Sequence, residues 1–204
     1  MALLEVKHLR IEYPSRHGVM TAVDDLSFRI ARGEILGVVG ESGAGKSTIG
    51  NAIIDLLSPP GRMSQGEVYL DGKKISGLSQ AKMRQLRGRH IGFIFQDPMT
   101  SLNPLFTVES QMVETLLANT KLSREQARLK SISLLDAVGI PEPELRIKQY
   151  PHQFSGGMRQ RVVIAIALSG DPELIIADEP TTALDVSIQD QILTLIRHLC
   201  KERN

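Results

Sequence analysis

Ile35-Leu36-Gly37-Val38-Val39 runs directly into Gly40-Glu41-Ser42-Gly43-Ala44-Gly45-Lys46-Ser47, which fits the pattern GxxxxGK[ST]. The apolar run predicts a strand covered on both faces. A helical pattern follows from Ser47 to Leu57, and Ser58-Pro59-Pro60-Gly61 stops it. Strand, glycine-rich loop and helix in that order form a phosphate cradle. The glycines let backbone N–H groups converge on one anion, and the helix points its positive end at the same place. Lys46 is long enough to reach β- and γ-phosphates, and the Ser47 hydroxyl can ligate Mg²⁺. A flexible Gly/Ser connection is the alternative, and the strand–loop–helix context argues against it.

A second apolar strand ends in acid. Glu173-Leu174-Ile175-Ile176-Ala177-Asp178-Glu179-Pro180 places two carboxylates at the C-terminal end of a buried strand, where α/β sheets bind ligands. Asp178 would hold Mg²⁺ directly or through water, and Glu179 could act as general base on an attacking water. Read alone, the same segment is an acidic turn. The third signal is Phe154-Ser155-Gly156-Gly157-Met158-Arg159-Gln160-Arg161 at the start of a helix. Ser155 and two glycines can make a second anion site there, or simply an N-cap and a turn.

The rest of the chain fits around these three segments. Leu3–Ile11, Val19–Val23 and Leu26–Ile30 read as strands, with Asp24-Asp25 as a turn; Glu67–Leu70 and His90–Phe95 are further strands. From Val108 to Val138 the apolar period becomes helical, so this stretch reads as a helical insertion in a sheet-based domain. Gly156–Leu168 is helical, and Val186, Ile188, Ile192, Leu195, Ile196 and Leu199 stripe a last helix.

Composition narrows the function classes. Among 204 residues, 24 Lys and Arg balance 23 Asp and Glu, which excludes nucleic-acid binding by bulk charge. A hydrophobic fraction of 42% excludes disorder as the default, and with five Phe, three Tyr and no Trp the core must be mainly aliphatic. The single cysteine, Cys200, excludes an internal disulfide and reads as an inert thiol. No apolar run is long enough to cross a bilayer as a helix, and MALLEVKHLR lacks a signal peptide's apolar stretch, so the chain reads as cytoplasmic. Arg84, Arg87, Arg89 and His90 read as a solvated basic face, and His198 as packed or solvent-facing.

The P-loop, SGGxxQR and IIADEP, in that order and over nearly the whole chain, resemble the ATP-binding subunit of ABC transporters. The resemblance implies an α/β P-loop NTPase core with an N-terminal antiparallel β portion and an inserted helical subdomain at about 97–168, all within one ATP-binding domain spanning 1–204. It implies nucleotide contacts from Gly40, Glu41, Ser42, Gly43, Ala44, Gly45, Lys46, Ser47 and Thr48. Tyr13 is similar to the A-loop aromatic that stacks on adenine. Gln96 resembles the Q-loop glutamine, which contacts Mg²⁺ beside Ser47 and Asp178 and joins Glu179 as a catalytic residue. Ala183-Leu184-Asp185 resembles the D-loop. Ser155, Gly156 and Gly157 would serve the ATP held by a second ATP-binding subunit, identical or paralogous.

Phe95-Gln96-Asp97-Pro98-Met99-Thr100-Ser101-Leu102-Asn103-Pro104, Tyr150-Pro151-His152-Gln153 and ADEPTTALD at 177–185 resemble the dipeptide and oligopeptide uptake group. The expected partners are two membrane-spanning permease subunits and, through the complex, an extracytoplasmic solute-binding protein. The expected place is the cytoplasmic face of the inner membrane, with ATP and Mg²⁺ bound and no nucleic acid. A nickel or glutathione importer ATPase and a soluble non-transport ABC ATPase are the alternatives. The family's switch histidine has no counterpart before Asn204, so the chain also reads as C-terminally incomplete, and a catalytically impaired nucleotide-binding fragment is a further alternative.

Overall fold

A computed structural model describes residues 2–41, 43–181, 184 and 186–203. They form two compact units, residues 1–84 with 200–204 and residues 85–199.

The first unit is built on a four-stranded antiparallel sheet, with β1 at Ala2–Ser15, β2 at Gly18–Ala31, β3 at Arg62–Leu70 and β4 at Lys73–Lys74 in the order β2-β1-β3-β4. Leu4, Val6, Leu9, Ile11, Val68 and Leu70 are buried in it, which matches the expected strand patterning. The two strands expected on either side of Asp24-Asp25 are instead one. The pairing passes from Leu9↔Leu26 to Ile11↔Val23, and this register shift absorbs the irregularity without reversing the chain. Asp25 takes φ 50° and His8 φ 48° at this bulge, where His8 Nδ1 lies 2.7 Å from Asp25 Oδ1. On β3 a hydrogen bond from Lys74, at 2.5 Å, holds the Glu67 carboxyl below the usual range.

Helix α1 spans Lys46–Ile53, four residues short of Leu57. The strand expected at Ile35–Val39 does not form. The segment has no ladder partner among the described residues, and Ile35, Leu36, Val38 and Val39 are exposed, Val39 by 96%. A parallel strand draws its stability from neighbours on both sides, and apolar β-branched residues alone do not supply it. Helix α2, Gln80–Leu86, closes the run to the second unit.

In the second unit, β5 at Ile91–Ile94 and β6 at Leu174–Ala177 pair in parallel, Ile91↔Leu174 through Ile94↔Ala177. Helices α3 (Pro98–Ser101), α4 (Val108–Asn119), α5 (Arg124–Ala137), α6 (Pro143–Arg146), α7 (Gly156–Leu168) and α8 (Val186–Arg203) supply the rest. The helical stretch expected over Val108–Val138 is thus two helices. Ser123 restarts the second with a capping box, its hydroxyl accepting from the Gln126 N–H at 3.2 Å while Gln126 accepts from the Ser123 N–H at 2.8 Å. Met112, Leu135, Ile140, Val162 and Ile192 lie in one buried aliphatic core. Of the basic residues read as a solvated face, His90 is tied by Nδ1 to Glu173 at 2.9 Å. Burial pushes the Cys200 thiol up, in keeping with an inert group.

The base of the parallel pair is crowded. The His90 carbonyl accepts from both Glu173 N and Leu174 N at 3.1 Å, and a Cβ on Gly170 would stand 1.8 Å from the Gly88 carbonyl oxygen. That oxygen belongs to backbone and cannot swing away. Gly170→Ala is expected to cost about 3 kcal/mol, a fall of roughly 6–12 °C in the thermal midpoint. A melt followed by circular dichroism checks this, and an unchanged midpoint would mean the two turns have room to separate.

Candidate functional site

In the first unit the glycine-rich loop is folded by its own backbone. Ala44 N–H donates to the Glu41 carbonyl at 3.1 Å, and Ile49 N–H to the Gly45 carbonyl at 3.0 Å. Gly45 caps α1 at φ 86°, ψ 9°. Two conditions demand glycine there: the left-handed backbone, and a Cβ that would lie 2.8 Å from the Ala22 carbonyl of β2. Lys46 Nζ donates to the carbonyls of Gly40 and Glu41, each at 2.9 Å. The ammonium is therefore held over the loop at the positive end of α1, whose first turn carries no acidic residue. Ser47 and Thr48 follow in the first turn of the helix. Ser42 lies outside the described residues.

Tyr13 sits on β1, half-buried, opposite Met20 of β2. A Cβ on Gly61 would be 2.6 Å from its Cε1, so the ring lies against the Pro59-Pro60-Gly61 turn.

In the second unit the parallel register carries two chain segments out at one edge. Asp178 N–H donates to the Ile94 carbonyl at 2.9 Å, extending the ladder one step past Ala177. Gln96 and Glu179 then meet, Gln96 Nε2 donating to Glu179 Oε2 at 2.9 Å. The residues are 83 apart in sequence, and only the strand pairing brings them together. Glu179 adopts φ 42°, a left-handed conformation that a side chain rarely takes and that recurs where a site over-determines the backbone. Asp178 and Glu179 are half-buried.

Ser155 caps α7, its hydroxyl accepting from the Met158 N–H at 3.3 Å. Gly157 has a packing reason as well as an electrostatic one, since a Cβ there would press to 3.0 Å on Ile188 Cγ2 of α8. Arg159 Nε donates to the Phe154 carbonyl at 2.9 Å. Arg161 reaches the Val138 carbonyl at the end of α5, at 2.5 Å, and Gln191 of α8 at 3.2 Å. Ala183 and Asp185, expected in the D-loop, lie outside the described residues.

The segment after Gln96 is pinned by a residue that sequence reading passed over. Gln111 Oε1 accepts from the Asn103 N–H at 2.8 Å, and its Nε2 donates to the Asn103 and Phe106 carbonyls at 3.0 Å each. Leu105 and Phe106 are thereby held exposed, at 79% and 52%. A glutamine one turn inside α4 is no signal by itself in a sequence. Gln160 was also read only as part of a polar signature, yet it is fully buried. Its place one turn ahead of Val163 and Ile164 on the same helix face was the available clue.

Residues 23–182 match the ABC transporter family. The chain is 52% identical over 201 residues to the oligopeptide transport ATP-binding protein OppD of Bacillus subtilis, covering 98% of this chain and 56% of that protein. It is 50% identical to OppD of Escherichia coli, over 100% of this chain and 60% of that one. With the dipeptide transport ATP-binding protein DppD of Bacillus subtilis it shares 48%, over 97% and 59%. The chain thus spans less than two thirds of the length of these relatives. A dimeric post-hydrolysis ATP-binding cassette bound to ADP and Pi matches with a TM-score of 0.85 and 32% identity, covering 98% of this chain and 83% of that one. A component of an ABC transporter complex from Clostridium perfringens matches with a TM-score of 0.80 and 30% identity, over 98% and 74%. By family model, relatives and fold together, the chain belongs to the ABC transporter family.

Proposed function

We propose that this chain is the ATP-binding and ATP-hydrolysing part of a membrane importer for peptides, residues 1–204 acting as one ATP-binding domain with the helical subdomain at about 97–168. The observation that carries the reading is the pairing of Gln96 with Glu179 beside Asp178 at the carboxyl ends of two parallel strands, in a chain that also holds the loop Gly40–Ser47. The names of the relatives, oligopeptide and dipeptide transport ATP-binding proteins, support peptides as the cargo.

The residues then have distinct tasks. Gly40, Glu41, Ser42, Gly43, Ala44 and Gly45 offer backbone N–H groups to the β-phosphate, and Lys46, Ser47 and Thr48 grip the phosphates at the start of α1. Tyr13 lies beside the adenine. Ser47, Asp178 and Gln96 are oxygen donors suited to a hard divalent cation. A hard divalent cation of this kind also keeps waters and substrate phosphates as ligands. Mg²⁺ would neutralise charge on the phosphate oxygens. Glu179 would take a proton from the attacking water, and Gln96 Nε2 holds and orients its carboxylate. Ser155, Gly156 and Gly157 close on the ATP of a second such subunit.

The exposed Leu105 and Phe106 are the surface offered to two membrane-spanning permease subunits, and a solute-binding protein joins through them. Among the described residues no helix is long and apolar enough to cross a membrane. The relatives' names, those of transport ATP-binding proteins, support a peripheral place at the cytoplasmic face of the inner membrane.

The test combines phosphate release from Mg·ATP with ATP-dependent dimerisation by light scattering. Ser155→Arg is expected to leave ATP affinity of the monomer within about twofold and to abolish the dimer, because a cation and added bulk then block a face used only by the partner's nucleotide. Loss of ATP binding in the monomer would remove Ser155 from that role. Failure of the parent chain to bind ATP would end the whole reading.

A further inference from the structure

Gln160 is fully buried in the second unit, and neither its Oε1 nor its Nε2 has a hydrogen-bond partner among the described residues. A buried amide left so forfeits its hydration and regains nothing, and a side chain of the same shape without polar atoms would be more stable in its place. Such a group in a native chain calls for an explanation, a buried water, an ion or a partner met in another form of the protein. Its position points to the last of these. Gln160 lies on α7 one turn inside Ser155-Gly156-Gly157, and α7 packs against both β5 and α3. These are the elements immediately before and after Gln96 in the chain. Gln96 itself is engaged with Glu179. Any displacement of the segment joining β5 to α3 would run against α7, which packs on both.

We propose that Gln160 is a positioning residue of the nucleotide-engaged form, its amide hydrogen-bonded to the moved segment at 95–101 in that form and unpartnered in the form described. This rests on the reading of Gln96 as a contact to the nucleotide's cation. A ligand can shift two forms only by its differential affinity for them, and the amide supplies part of that difference. Removing its polarity should therefore move two quantities in opposite directions.

The experiment uses the full chain and Gln160→Met, with Gln160→Leu as a second variant of similar volume. Thermal midpoints are taken without nucleotide, and affinity is taken by titration with Mg·ATP. The expected result is a midpoint about 2–4 °C higher and an affinity weakened about tenfold. A lower midpoint in both variants, down to failure to fold, would show that the amide is bonded in the resting protein, to buried water for example, and would overturn the proposal. A higher midpoint with unchanged affinity would overturn it too, since the amide would then serve no nucleotide-linked form. If the parent chain itself bound no Mg·ATP while folding normally, the functional reading would fail first and this inference with it.

Discussion

Lys46→Ala is expected to weaken Mg·ATP binding ten- to a hundredfold. The ammonium is the one formal positive charge in the loop Gly40–Ser47, set at the positive end of α1. Charge-assisted hydrogen bonds to phosphate contribute about 1.5–3 kcal/mol each, and about 1.4 kcal/mol is a factor of ten in affinity. An opposing term has to be weighed. In the form described, Lys46 Nζ already donates to the carbonyls of Gly40 and Glu41 at 2.9 Å, so binding exchanges two neutral acceptors for charged ones. The gain is the difference between these, which places the effect at the lower end of the range. The backbone N–H groups and the helix end remain in the variant, so binding weakens without vanishing. Titration with a fluorescent ATP analogue checks it. Affinity unchanged within twofold would take Lys46 out of the site.

The parts legible in the sequence were those whose cause is local. Gly40–Ser47 needs only its own spacing and the helix after it, and Gly45 occupies the left-handed, sterically closed position that the pattern reserves for glycine. Leu174–Ala177 was legible because a four-residue apolar run ended by Asp-Glu-Pro leaves few alternatives. Ser123 and Gln126 spelled out a capping box, and the continuous apolar period on both sides concealed it.

What was not legible depends on residues far apart. Ile35–Val39 has a strand's composition, but its state is set by whether neighbours pair with it, which no local pattern reports. The bulge at Asp25 mimics a turn because one register shift and one reversal both call for a residue that tolerates positive φ. Gln96 was assigned by resemblance and Glu179 from the acidic end of its apolar strand, and their contact follows from the register Ile94↔Ala177. Gln160 was hidden by chemistry, since a polar side chain in a helix is read as facing water until packing says otherwise.

Glu179→Gln is expected to lower the turnover of Mg·ATP by about 10²–10⁴-fold, the range that general-base groups contribute. The substitution preserves shape and nearly all of the local bonding. Glutamine can still accept from Gln96 Nε2 through its amide oxygen, and the left-handed backbone at φ 42° already tolerates a side chain of this size. What disappears is the lone pair able to take a proton from water. Nucleotide affinity should therefore hold within about threefold, a small cost beside the lost rate. The two measurements separate the roles that the geometry leaves entangled. If Glu179 serves chiefly to park Gln96, the variant should bind normally and turn over at nearly the parent rate. If it were a ligand to the cation, affinity for Mg·ATP should fall along with the rate. A large drop in rate alone, read by phosphate release at saturating Mg·ATP, is the result that assigns Glu179 to the proton.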